Sequence, residues 1–268
     1  MSDLSGKVAI VTAASRGIGL AIAKKFVRDG AIVYMAVRDS EKNRRLTEEL
    51  HAENDRYRRV FYDAYQFDSY RPMIEEVCEK EGHLDILVNN FGHTDVKRDK
   101  TLVDGDSEAF FDILNTDVAS VYYTSKYAIE HMMKQELGGS VINISSVAGS
   151  TPDVSRFAYT TSKAAINSMT RNAAVQYARQ KVRVNAILPG LVATDGAMKN
   201  MSQAFLDTFL KHVPLNDIVK PEDIADVASF LASEEAKFIT GELIPVAGGF
   251  GLPTPIYGDV MSDERRRG

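Results

Sequence analysis

A single cysteine, Cys78, leaves this 268-residue chain no partner for an internal disulfide, and a reducing compartment, the cytoplasm, is expected. Basic charge is in deficit, with 32 Lys and Arg against 37 Asp and Glu, a net −5. A nucleic-acid binder carries the opposite balance, so no nucleic-acid partner is expected. No apolar run nears the roughly 18 residues of a membrane span, so no membrane partner is expected either. Before its first short apolar run, Val8–Val11, the chain carries Asp3 and Ser5 and lacks the basic n-region of a secretory signal. The histidines, His51, His83, His93, His131 and His212, form no H-x-x-x-H or Cys/His cluster, so no catalytic metal is expected. No Pro/Gly/Ser linker, low-complexity tract or repeat divides the sequence, which implies one domain over 1–268. A chain of this length buries roughly 75% of its extended surface and needs no staples.

What the sequence does have is alternation. Short apolar runs lie at Val8–Val11, Ile32–Ala36, Ile86–Val88, Val141–Ile144, Val182–Leu188 and Leu243–Val246. Most are Val- and Ile-rich on consecutive positions, as strands buried on both faces of a parallel sheet are. Between them the spacing turns helical, with Ile18, Ala21, Ile22 and Phe26 on one face and Ile224, Val227, Ala228 and Leu231 on another. Pro221 opens the second of these helices, where its missing N–H is harmless. The fold class expected is α/β, a doubly wound parallel sheet with helices on both faces, three layers in all. Ligands of such sheets bind beyond the carboxyl ends of the strands, so functional residues belong just after Val11, Ala36, Val88, Ile144 and Leu188.

Two of those places carry nucleotide chemistry. After the first strand comes Thr12-Ala13-Ala14-Ser15-Arg16-Gly17-Ile18-Gly19. Its glycines let the backbone approach a pyrophosphate, and the helix N-terminus behind them offers N–H donors and partial positive charge. Ser15 adds a hydroxyl and Arg16 a cation. At the tip of the second strand stands Arg38, which with Arg16 suits the dianionic 2′-phosphate of NADP(H). Asp39, one step on, is expected to help cap the next helix.

The reacting groups are read from Tyr159 and Lys163, one helical turn apart. A phenol is a poor base at neutral pH, and a neighbouring ammonium stabilises its phenolate. Such a phenol can exchange a proton with an alcohol oxygen while hydride leaves the neighbouring carbon. The same spacing occurs at Tyr122/Lys126 and Tyr177/Lys181, but only Tyr159 has a hydroxyl thirteen residues before it, Ser146, just past a strand. Ser146 can donate to the substrate oxygen and stabilise developing charge. The other two pairs read as surface or interface residues. Cys78, beside Met73, Ile74 and Val77, reads as core, and Asp263, Glu264, Arg265, Arg266 and Arg267 as a solvated tail.

Thr12–Gly19, Asn89-Asn90-Phe91-Gly92, Ser146, Tyr159/Lys163, Pro189-Gly190-Leu191-Val192-Ala193-Thr194 and Thr240-Gly241 follow in an order and spacing that resemble the short-chain dehydrogenase/reductases over about residues 5–250. That resemblance implies a Rossmann-type single domain and a homotetramer. It implies Tyr159 as acid/base, Lys163 on the nicotinamide ribose, and Ser146 on the substrate oxygen. Asp63 would contact adenine, Asn90 the adenosine-side ribose region, and Val192 and Thr194 the carboxamide. Ser15, Arg16, Gly17, Ile18, Gly19 and Arg38 would complete the cofactor site. Val37 stands where the family's NAD users carry Asp, which favours NADP(H). Ala13 replaces the family's first glycine, which it can do at negative φ. Asp117 replaces the family's usual asparagine in the central helix, and pairing with Lys163 would weaken that lysine's effect on Tyr159.

The same resemblance makes about 195–216 a substrate lid, with Met198 and Phe205 as pocket wall, and His93 lies where substrate would pass. The tail, about 248–268, is expected to be extended. Asn89–Gly92, Pro152-Asp153-Val154-Ser155-Arg156, Phe209-Leu210-Lys211-His212 and Gly248–Pro255 resemble the NADP-dependent 7α type among bacterial bile-acid hydroxysteroid dehydrogenases. A small steroid-like substrate is implied. Another carbonyl remains open beside it, a 3α- or 12α-hydroxysteroid or a 3-oxoacyl thioester, as does a non-catalytic dinucleotide sensor.

Overall fold

Seven parallel strands form one sheet in the order β3-β2-β1-β4-β5-β6-β7 in a computed structural model that describes residues 2–199, 201–254 and 256–262. The strands are β1 (Val8–Thr12), β2 (Ile32–Val37), β3 (Tyr57–Phe61), β4 (Ile86–Asn89), β5 (Gly139–Ile144), β6 (Val182–Pro189) and β7 (Leu243–Val246). Between and after them come α1 (Gly17–Arg28), α2 (Glu41–Glu53), α3 (Tyr70–Glu81), α4 (Ser107–Met132), α5 (Phe157–Tyr177), α6 (Asp195–Met198), α7 (Gln203–Leu210), α8 (Pro221–Ala232) and α9 (Tyr257–Ser262). Alternate side chains of each strand face opposite layers. Ala9 and Val11 join the α1 and α8 residues Ile22, Phe26, Ile224 and Leu231, whereas Val8 and Ile10 join Met73, Ile74, Ile129 and Ala174 of α3, α4 and α5. The result is the three-layer αβα architecture expected.

One strand escapes a search for apolar runs. Edge strand β3 buries Tyr57 and Val60, while Arg58 and Arg59 reach Glu81 and Asp39 at its sides. An edge has one neighbour and tolerates charge, so its sequence lacks a continuous apolar signature.

Two local expectations are corrected. Ala13 adopts φ 52, in the left-handed region. Its turn is tied at both ends, Ala13 N–H donating to Ala36 O (2.9 Å) and Ala13 O accepting from the Asn90 amide (3.4 Å). Ala13→Gly is therefore expected to raise stability by about 0.5–1 kcal/mol, the left-handed cost of alanine less the extra unfolded entropy of glycine. Urea denaturation measures this, and a loss of stability contradicts it. The tail is not extended throughout, because α9 forms after its prolines and includes Gly258. Gly258 lies so close to His212 that a Cβ there would meet the imidazole at 2.7 Å. The charge run Asp263–Arg267 lies outside the described residues.

Candidate active site

Strand order reverses between β1 and β4, which opens a crevice at their carboxyl ends. The glycine turn forms one wall. Gly17 takes φ 53, and a Cβ on Gly19 would lie 2.5 Å from the Asn90 amide nitrogen and 2.7 Å from Ala13 O. Only glycine fits at position 19. Asn90 fastens the turn to β4, its amide donating to Thr12 O (3.1 Å) and its N–H to Thr12 Oγ1 (2.9 Å). No side chain caps α1, and its first turn carries no acidic residue. The open N–H groups and the cradle that a Cβ would fill suit a pyrophosphate. Ser15 and Ile18 belong to the same turn.

At the tip of β2 the arginines divide into two groups. Asp39 pairs with Arg44 (3.1 Å) and Arg59 (3.0 Å) and does not cap α2; Ser40 does, accepting from Asn43 N–H at 3.3 Å. Among the described residues Arg38 and Arg16 have no carboxylate partner, and both are exposed. Asp63 follows β3 and accepts from Tyr65 N–H (3.0 Å). Across the crevice Val192 is buried and bridges Val219. Thr194 caps α6 by accepting from Ala197 N–H (3.3 Å), and its methyl would lie 3.2 Å from a Cβ on Gly17.

Ser146 and Lys163 both lie against the end of β5. Ser146 is buried two residues past that strand and its hydroxyl accepts from Ala148 N–H (3.1 Å). Lys163 is buried, and its Nζ donates to Ile144 O (3.3 Å) and stands 5.6 Å from the Tyr159 ring centre. Gly92 keeps the end of β4 clear of it, since a Cβ there would come within 2.9 Å of Nζ. A buried polar ladder holds the floor: Thr124 donates to Asn89, Asn89 to Asn143, and Asn143 to Thr170, at 2.6, 2.9 and 2.9 Å. The competing motifs differ in setting. Tyr122 is half exposed on α4, and Lys181 lies past α5 at φ 60, off the helix face of Tyr177.

Asp117 is fully buried but does not hydrogen-bond Lys163. Its Oδ1 accepts from His93 N–H (2.8 Å) and its Oδ2 from the Ser162 hydroxyl (3.1 Å). Burial holds its carboxyl above the ordinary value of 3.8, against Lys163 and those two donors. A carboxyl raised in the folded state binds its proton more tightly there, so its contribution to stability is best below the unfolded value and is lost as pH rises through the folded one. Asp117→Asn keeps both contacts, the amide oxygen taking His93 N–H and the amide nitrogen donating to Ser162. Its stability relative to the parent is expected to grow as pH rises from the ordinary carboxyl value of 3.8 toward neutrality. A gap that stays flat in denaturation across that range contradicts this.

A residue that the sequence did not single out, Asp99, holds the start of α5. It is buried in the loop 90–106, and its two oxygens accept the N–H groups of Ala158 (2.8 Å) and Tyr159 (3.0 Å). The only sequence signal is loop length, beyond the roughly 12–15 residues usual for an unstructured connection. Asp99→Ala orphans two helix N–H groups and is expected to cost about 2–4 kcal/mol, read by thermal or chemical denaturation.

The substrate side is apolar and aromatic. Phe205 and Phe209 of α7 stack at 6.3 Å, and Phe209 stacks on Phe250 of the tail at 4.9 Å. Met198 and Phe205 are 37% and 53% exposed, available to a ligand face. His93 Nδ1 is buried with no hydrogen-bond partner among the described residues. Among those residues no cluster of three His, Cys, Asp or Glu could hold a metal ion, and no helix is long and apolar enough to cross a membrane.

Residues 12–251 match the family described as enoyl-(acyl carrier protein) reductase. A 7α-hydroxysteroid dehydrogenase of Clostridium sardiniense is 47% identical, over 97% of this chain and 98% of its own. One from Paraclostridium sordellii is 48% identical over 98% and 99%. A short-chain dehydrogenase/reductase structure from Mycobacterium ulcerans superposes with a TM-score of 0.86 at 30% identity, covering 93% of this chain and 90% of that one.

Proposed function

The chain belongs to the short-chain dehydrogenase/reductase family of oxidoreductases, and from that premise we propose that it moves a hydride between NADP(H) and the 7α-hydroxyl, or 7-ketone, of a bile acid. The observation that carries the reading is buried Lys163 standing 5.6 Å from the Tyr159 ring, with Ser146 buried just past β5 and a glycine turn whose N-cap residue, Arg16, makes no side-chain cap. A bound nicotinamide nucleotide supplies the hydride acceptor or donor. Ser146 donates a hydrogen bond to the substrate oxygen and holds it against Tyr159. Tyr159 takes the hydroxyl proton in oxidation and returns it in reduction. Lys163 binds the nicotinamide ribose and stabilises the phenolate. Ser15, Arg16, Gly17, Ile18 and Gly19 hold the pyrophosphate, Asp63 the adenine, Asn90 the adjacent ribose region, and Val192 and Thr194 the carboxamide.

Two features support the finer choices. Val37 offers no carboxylate to a ribose diol, while Arg16 and Arg38 are both exposed without a carboxylate partner among the described residues, an arrangement suited to a 2′-phosphate. The aromatic wall of Phe205, Phe209 and Phe250, with Met198 and His93, suits a broad apolar ring system with a few polar substituents. The relatives named for 7α-hydroxysteroids support that position on the ring. We further propose a cytoplasmic homotetramer: α4 and α5 turn Phe111, Tyr122 and Val175 outward, 58%, 49% and 82% exposed, a surface that a second copy would cover.

A panel of bile acids bearing hydroxyls at the 7α, 3α or 12α position, with NADP⁺ and NAD⁺ in parallel, tests the reading by nicotinamide absorbance. Turnover with NADP⁺ that requires the 7α-hydroxyl is expected. Turnover only at another position moves the substrate assignment, and none with any alcohol points to a sensor.

A further inference from the structure

Arg156 adopts φ 60 and ψ 48, a left-handed conformation that carries a steric cost for any residue but glycine. It occupies the N-cap position of α5, yet its side chain caps nothing. The helix N–H groups are met from elsewhere, Phe157 by Lys100 O (3.0 Å) and Ala158 and Tyr159 by Asp99. The unusual backbone therefore serves something other than capping. What it does is turn the guanidinium back over the helix. Nε donates to Asp153 Oδ2 at 3.1 Å, Nη2 donates to the same oxygen, and the guanidinium carbon stands 5.3 Å from the centre of the Tyr159 ring.

Tyr159 thus has two cations near its ring, Arg156 and Lys163, at 5.3 and 5.6 Å. A cation over an aromatic face is attracted by the ring's electron density. That density is greater when the hydroxyl is deprotonated, so the contact favours phenolate over phenol. We propose that Arg156, anchored by Asp153 and set by its left-handed backbone, is a positioning residue that orients Tyr159 and supports its deprotonated form during catalysis. The inference rests on Tyr159 being the acid/base of the proposed reaction. A guanidinium keeps its charge where an ammonium can lose its proton.

The charged and titratable groups around Tyr159 come from four directions. Lys163 lies on the same helix, and Asp153 and Arg156 on the loop before it. Asp99 and His93 lie on the loop after β4, and Asp117 on α4 reaches Tyr159 O through Ser162. Among the described residues only Arg156 and Lys163 place a cation within 6 Å of its ring centre.

The test is the pH profile of kcat/KM for alcohol oxidation in the parent, Arg156→Gln, Arg156→Gly and Arg156→Lys. Loss of the cation is expected to move the midpoint of the rising limb up by about half to one pH unit, a three- to tenfold loss near neutrality that recovers on the alkaline plateau. Arg156→Lys should restore most of the parent limb. Arg156→Gly separates this from a backbone role, since it relieves the left-handed conformation and should raise thermal stability while still moving the limb. If the limb of either neutral variant overlays the parent, or if only the plateau falls, Arg156 is structural and the inference is wrong. Tyr159→Phe in the same series keeps the outcomes apart, because full activity there removes the proposed mechanism itself, whatever Arg156 does.

Discussion

Tyr159→Phe is expected to lower kcat by about 10³-fold, within the range general acid–base catalysis contributes, while the fold and nucleotide affinity stay near those of the parent. The expected asymmetry comes from how the residue is held. Its backbone N–H bonds Asp99, its carbonyl accepts from Ser162, and its ring has Arg156 and Lys163 at 5.3 and 5.6 Å from its centre. Phenylalanine keeps all of these contacts and loses only the hydroxyl. Lys163 keeps its hydrogen bond to Ile144 O, so no buried charge is newly orphaned. Single-turnover measurement with NADP⁺, beside nucleotide titration by fluorescence or calorimetry, separates chemistry from binding. Residual turnover above about a tenth of the parent would falsify the role given to Tyr159.

The second large effect is on nucleotide choice. Hydrogen bonds to charged groups contribute about 1.5–3 kcal/mol each. Removing both guanidinium groups in Arg16→Ala/Arg38→Ala should therefore weaken NADP⁺ binding by about 10²–10⁴-fold. NAD⁺ has no 2′-phosphate for these groups to meet, and its affinity should change little. The fold should not suffer, because both arginines are exposed and Asp39 already has Arg44 and Arg59 as partners. The readout is the ratio of kcat/KM for the two nucleotides. A ratio that does not move places the discriminating group elsewhere.

The places where the sequence misled share a cause. Asp117 pairs by geometry with a backbone N–H at His93 and a hydroxyl at Ser162, 24 and 45 positions away, and neither is visible in a helix spacing. Asp99 carries no motif because its partners lie 59 and 60 positions along the chain. Ala13 looks like an ordinary small residue until its bonds to Ala36 O and from the Asn90 amide hold the turn with φ positive. Strand β3 hides because an edge needs only half the apolar pattern.

Local chemistry alone determined the alternating αβ order, the glycine turn, the Tyr159/Lys163 pair with Ser146 before it, and the absence of an acid at Val37. Each of these depends on residue type and short spacing, through backbone periodicity, steric room at glycine and the reach of one helical turn. Tertiary structure decided which carboxylate meets which donor, how Arg156 returns to the Tyr159 ring, and how α7 and the tail stack Phe209 on Phe250. Those outcomes depend on where the sheet register brings distant segments together, and burial then sets what each contact is worth.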